Sequence, residues 1–184
     1  MDAEQGWMLL LFVMANFVLA GIGARLGERG DGSELWYNRL SKPGGYPPEV
    51  LFAPIWSLVA IATGVAGWWI WRDAQLSYSS GALMLYGFAL VFNAVWQGVS
   101  IGLRRLGLGI AVGWLLWVTI ALTAWADGAQ AEPVPWHLLW LFPYWLWVGV
   151  CVRWNHRLWQ ANQPPSASDP GAANDSPLPG EQVS

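Results

Sequence analysis

Two runs of residues carry the groups able to do chemistry in this chain of 184 residues. Asn93, Trp96, Gln97 and Ser100 recur at steps of three and four, so on a helix they share one face. Trp140, Tyr144, Trp147, Cys151, Trp154 and Asn155 repeat that spacing in a second run. Apolar sequence surrounds both. An amide turned toward lipid is costly, so Asn93 and Gln97 should point inward, where either interhelical hydrogen bonds or a ligand cavity would satisfy them. Two such stripes facing each other would line a pocket for a large, flat, mostly apolar molecule. It would stack on indole faces and find hydrogen-bond donors in Trp, Tyr or Asn.

Other chemistries find few residues to use. His137 and His156 stand at opposite ends of the last apolar stretch, roughly 30 Å apart along a helix, so no metal site within one chain is expected. The single cysteine, Cys151, rules out an internal disulfide and reads as a small packing residue more readily than as a reactive thiolate. No Ser-His-acid set, phosphate loop or zinc spacing occurs, and no cofactor is required. The charge-free stretches hold no carboxylate, which disfavours a proton-coupled pump. A net charge of -3 without a basic run excludes nucleic acid as the expected partner.

The elements that must position these stripes follow from charge. Only 11% of the residues are Asp, Glu, Lys or Arg, against roughly 25% in a soluble domain. Charges are missing altogether from five stretches, each able to hold the roughly 20 residues that cross about 30 Å of hydrocarbon. Lipid offers no partner to an open strand edge, so each stretch should be helical. The expected fold class is all-α, an integral membrane bundle of five transmembrane helices at about 6–24, 49–71, 79–102, 106–126 and 134–159. Together these make one domain, 1–161, with the lipid bilayer as its first partner. Pro54 should tighten the start of the second helix, and Pro143 should bend the fifth. Arg104 and Arg105 form a turn short enough to make the third and fourth helices antiparallel neighbours. Residues 162–184, rich in Pro, Ser, Ala, Gly and Asp, are expected to be a disordered tail. The first apolar run lacks a basic start and is expected to be retained as a helix instead of cleaved as a signal, although Ala20 and Ala24 are small enough for a cleavage site.

Basic residues fix an expected orientation. Arg25, Arg29, Arg39, Lys42, Arg104, Arg105, Arg153 and Arg157 fall on one side of the five-helix arrangement, and Arg72 alone on the other. The positive-inside rule then places the N-terminus outside and the tail in the cytoplasm. Sixteen tryptophans are more than an interfacial belt needs. Trp7, Trp68, Trp69, Trp71, Trp125, Trp136 and Trp159 sit near helix ends and suit the belt; Trp96, Trp114, Trp117, Trp140 and Trp147 lie deeper. Gly98/Gly102 and Gly109/Gly113 have the spacing of close helix contacts, whether within the bundle or between copies.

The connection 25–48 combines aromatic, basic and stiff residues: Trp36, Tyr37, Lys42, Pro43, Tyr46, Pro47 and Pro48. A loose tether needs none of them. The loop is expected either to fold back as a lid over the cytoplasmic mouth of the bundle or to anchor at the interface.

At these residues the chain resembles the tryptophan-rich sensory protein and translocator protein family, also called the peripheral benzodiazepine receptor family. The matching pieces are Trp36 to Pro43 with Pro47/Pro48, Phe52 to Trp56, Phe92 to Trp96, Pro143 to Trp147, Trp154 to Trp159, and Asn162. The resemblance covers roughly 11–162. It implies a five-helix bundle, often a homodimer, in a bacterial cell membrane, with a cavity open toward the first loop. It implies a porphyrin ligand, such as protoporphyrin IX or a haem-like porphyrin, and in some relatives sterols or benzodiazepine-like drugs. The pocket positions it implies are Trp56, Asn93, Trp96, Tyr144 and Trp147, to which the stripes add Gln97, Trp140 and Cys151. Three uses follow from the resemblance: receptor or regulator, transporter, or light-dependent porphyrin-degrading enzyme, the last through Trp56 and Trp147. Two positions depart from the family pattern. Gly45, beside Tyr46, stands where a tryptophan is common, and Val59-Ala60 replaces Leu-Tyr. Both departures remove aromatic wall.

Overall fold

A computed structural model describes residues 3–28, 32–45, 48–77, 80–129 and 136–163. The regular structure among the described residues is helical: α1 (Ala3–Gly27), α2 (Ser33–Arg39), α3 (Phe52–Ser77), α4 (Gly81–Gln97), α5 (Leu106–Gly128) and α6 (Phe142–Ala161). Four of these helices, α1, α3, α4 with its continuation to Gly102, and α5, are long and apolar enough to cross a membrane. The side-chain distribution supports this. Trp7, Leu11, Met84, Leu108 and Trp125 face outward, while Asn16, Thr63, Ser100, Thr119 and Thr123 are buried. Water would favour the reverse pattern; lipid favours this one.

The bundle closes as a ring in which α1 touches α3 and α4, α4 touches α5, α5 touches α6, and α6 returns to α3. Small residues set the approach distances. A Cβ on Gly23 would stand 3.0 Å from the Ala94 backbone, so α1 and α4 pack backbone to backbone there. On Gly113 it would meet Val152 at 2.7 Å and Trp96 at 3.2 Å. The glycine pairs of the sequence are therefore used inside the chain: Gly98 lies under Leu26, Gly109 against Ser100, and Gly113 against α6. The buried threonine hydroxyls are satisfied by their own helices, with Thr63 donating to the Val59 carbonyl at 2.8 Å and Thr123 to that of Thr119 at 2.8 Å. One polar knot joins three helices. Asn16 on α1 donates to the Tyr86 hydroxyl on α4 at 2.7 Å, and that hydroxyl donates to the Thr63 carbonyl on α3 at 3.2 Å.

Several element boundaries differ from the expected ones. α3 is preceded by a 3-10 turn, Glu49–Leu51, and continues past Trp71 to Ser77. At the interface Arg72 stacks its guanidinium over Trp69, 4.8 Å from the ring centroid, so a charge there does not end the helix. The third expected helix divides into α4 and a wider π turn, Gly98–Gly102. Arg104 ends it in the left-handed conformation, φ 55°, while the Arg105 N–H reaches back to the Val99 carbonyl at 3.2 Å. The expected fifth helix, 134–159, is also two pieces. A 3-10 turn, Trp136–Trp140, precedes α6, and Pro143 stands in the first turn of α6 instead of bending its middle. Proline suits that position because the first amides of a helix have no intrahelical acceptor. The expected connection 25–48 contains a helix of its own, α2. Tyr46, Pro47 and the expected disordered tail from 164 onward lie outside the described residues.

Candidate functional site

Inside the ring, between α3, α4 and α6 and beneath α2, lies a cavity of about 280 Å³. Its lining comes from each of these elements: Tyr37 from α2; Phe52 and Trp56 from α3; Trp96 and Gln97 from α4; Ser100 and Ile101 from the π turn; Cys151, Trp154 and Asn155 from α6. Helical phase explains the arrangement. Phe52 and Trp56 are one turn apart on α3, and Cys151 and Asn155 one turn apart on α6, so each pair presents a single face inward.

The walls are aromatic and interlocked. The Trp147 ring meets Phe52, Trp56 and Trp154 edge-on at centroid distances of 5.8, 6.3 and 5.8 Å. Such edge-to-face contacts hold indoles rigid and leave faces available for stacking. Polar atoms with no protein partner gather in the same region. The Ser100 hydroxyl and the Asn155 amide nitrogen on the lining are buried without a hydrogen bond, as are the Trp147 N–H, the Tyr144 hydroxyl and the Asn93 carbonyl oxygen in and near the wall. The Ser100 hydroxyl packs against Gly109 on α5, so among the lining residues the side-chain amides of Gln97 and Asn155 are the polar groups best placed to meet a ligand.

Sequence-predicted site residues divide by place. Trp56, Trp96, Gln97 and Cys151 line the cavity, and Tyr37 of the loop joins them. Tyr144 and Trp147 belong to the packed core into which the cavity is cut, Tyr144 being 2% exposed. Asn93 lies one turn before Gln97 on α4, outside the lining. Trp140 stands elsewhere: it is 41% exposed on the 3-10 turn. The break before α6 takes Trp140 out of phase with the stripe it would continue. Lys42 places its ammonium 4.5 Å above the Tyr37 ring centroid, at the rim. Pro43 is half-buried and Trp36 half-buried on α2, and Pro48 is exposed. Ser100, Trp154 and Asn155, members of the two stripes read from the periodicity, also line the cavity. Phe52 and Ile101 are the lining residues that neither the stripes nor the pocket positions named; Phe52 precedes Trp56 by one turn. Ile101 gives no sequence signal; the π turn brings it inward.

Comparison with known proteins adds the family. The family model for TspO/MBR matches residues 7–160. The chain belongs to the TspO/MBR family. Its relatives include the translocator protein of Bos taurus, 30% identical over 158 residues, covering 79% of this chain and 87% of that protein. The tryptophan-rich sensory protein of Cereibacter sphaeroides is 30% identical over 160 residues, covering 86% of this chain and 94% of that protein. Protein CrtK of Rhodobacter capsulatus is 28% identical over 136 residues, covering 69% and 78%. In this TspO/MBR chain the motifs that carried the resemblance converge in space. The segments around Tyr37, Phe52, Trp96 and Trp154 all contribute to one cavity.

Proposed function

We propose that this chain is a membrane receptor or regulator that binds a tetrapyrrole such as protoporphyrin IX in the cavity beneath α2. The observation that carries this reading is an aromatic-walled cavity whose lining also holds the side-chain amides of Gln97 and Asn155. A planar macrocycle stacks on indole faces, and its carboxylates or ring nitrogens would hydrogen-bond to those amides. The cavity is at the small end of the about 300–1,000 Å³ usual for ligand sites, so a macrocycle would fill it and reach the rim at Tyr37. The names of the relatives, sensory and translocator, are consistent with binding as the common property. Trp56, Asn93, Trp96, Gln97, Tyr144, Trp147 and Cys151 are the contacting or supporting residues of this proposal.

Titration with protoporphyrin IX should quench tryptophan fluorescence saturably. The double variant Gln97→Leu, Asn155→Leu should bind roughly tenfold or more weakly, since hydrogen bonds to charged groups contribute about 1.5–3 kcal/mol each. Unchanged affinity in a folded double variant would remove this pocket from consideration. One observation favours the light-dependent reading as a second: Trp56, Trp147 and Trp154 are in ring contact, an oxidisable series beside the cavity. Protein-dependent, light-dependent porphyrin loss that disappears in Trp56→Phe while binding persists would support it.

The same proposal includes a fifth crossing by the 3-10 turn and α6, with the N-terminus outside. Its support is the antiparallel course beside α5. Leu138 lies at Gly128, Trp117 at Gly149, Val152 at Gly113 and Trp159 at Gly107, so the pair runs side by side from end to end. Trp136 to Val152 covers about 27 Å as drawn from 3-10 and α-helical rises, and Arg153 and Arg157 then reach the headgroups. A homodimer, if formed, would use outward faces, because Gly98, Gly109 and Gly113 are occupied within the chain.

A further inference from the structure

One side chain ties the segment after α2 to the far end of the chain. The Asn162 Oδ1 accepts the Ser41 N–H at 2.9 Å, and Asn162 Nδ2 donates to the Ser41 carbonyl at 3.0 Å. The pair imitates the reciprocal bonding of two neighbouring strand residues across 121 positions of sequence. Nδ2 also donates to the Leu158 carbonyl at 2.8 Å, which braces the amide on the last turn of α6. Ser41 lies two residues beyond α2, and the intervening Leu40 returns its N–H to the Tyr37 carbonyl at 3.2 Å. Tyr37 lines the cavity, so the position of Asn162 is passed to the aromatic ring at the mouth through two backbone steps.

The two ends of α2 are fastened differently. At its start, the Ser33 hydroxyl donates to the Gly27 carbonyl at 2.7 Å in a buried bond. At its end, both Asn162 bonds are exposed. Water replaces an exposed hydrogen bond at small cost, whereas a buried one leaves its acceptor stranded. The helix therefore has a buried fastening at its start and a solvent-exposed one just past its end, the end that carries the cavity-lining ring, which has contacts of its own.

We propose that Asn162 is a positioning residue that latches α2 across the cavity mouth, so that ligand exchange follows release of the Asn162–Ser41 pair. This rests on the cavity being the ligand site. The latch itself can be tested without ligand. In the full chain, Asn162→Ala should speed hydrogen exchange of the Leu40 and Ser41 amides and of α2, leaving the middle of α6 unchanged. Protoporphyrin IX should then dissociate about tenfold faster, equivalent to about 1.4 kcal/mol. Ser41→Pro removes the N–H and leaves the Asn162 brace on α6 in place; Leu40, at ψ 141°, already has the conformation that precedes proline. It should accelerate dissociation less than Asn162→Ala, and the two together should do no more than Asn162→Ala alone. Failure of the wild-type chain to bind the porphyrin would remove the cavity reading while the exchange result still judged the latch. Unchanged exchange in α2, unchanged dissociation in a binding-competent Asn162→Ala, or additive effects of the two substitutions would overturn the latch.

Discussion

Polar side chains in this bundle fall into two groups, those with partners and those without. Asn16, Tyr86 and Thr63 complete one another between α1, α4 and α3. Tyr86→Phe would leave the Asn16 amide with only the Phe12 carbonyl, 2.8 Å away, and the Thr63 carbonyl without that donor. Interhelical hydrogen bonds in membranes contribute about 0.6–1.7 kcal/mol each, so this variant should lose about 1 kcal/mol of stability in detergent unfolding and keep its ligand affinity. Polar atoms of Asn93, Ser100, Tyr144 and Asn155 and the indole N–H groups of Trp68, Trp145 and Trp147 form the other group, of which Ser100 and Asn155 belong to cavity-lining residues. From the sequence, Asn93 and Gln97 could be placed inside but not assigned to one group or the other. Whether an amide meets a helix or a ligand depends on what stands opposite, and periodicity describes only one helix at a time.

Among the elements, those whose limits lipid dictates were legible. Charge-free stretches located α1, α3, α4 and α5 because a charge in hydrocarbon is costly, whatever the local propensity. The ends were less legible, since a charge at the headgroups, such as Arg72 on Trp69, is compatible with further helix. Pro143 illustrates a second limit. A proline in an apolar run reads equally as a bend or as a first-turn residue, and only the 3-10 turn before it decides. That decision moved Trp140 away from the site. Close packing sets the strictest condition on the elements. Gly23→Val would drive a branched side chain into the Ala94 backbone, which cannot step aside as a side-chain tip can. The expected result is a loss of several kcal/mol, read as a lowered melting temperature, whereas the same change at Gly21, with open space around it, should cost less than about 1 kcal/mol.

At the scale of the whole molecule, the ring of helices brings the aromatic segments around Tyr37, Phe52, Trp96 and Trp154 to one cavity beneath α2. Eight of the nine Lys and Arg residues of the sequence lie on the α2 side of the proposed topology. Orientation is therefore open to a direct check: a cysteine introduced at Ser184, in a Cys151→Ala background, should be shielded from a membrane-impermeant thiol reagent in intact cells and react after lysis. Labelling in intact cells would reverse the topology and turn the cavity mouth outward. The binding claim is tested most directly by comparing two substitutions in one protoporphyrin IX titration. Cys151 lines the cavity, and Cys151→Phe would fill part of its 280 Å³; Trp140 is exposed on the 3-10 turn, away from the lining. Cys151→Phe should lose saturable quenching while retaining a cooperative melt, and Trp140→Phe should bind as the wild type does. Undiminished binding in Cys151→Phe together with its loss in Trp140→Phe would contradict the placement of the site.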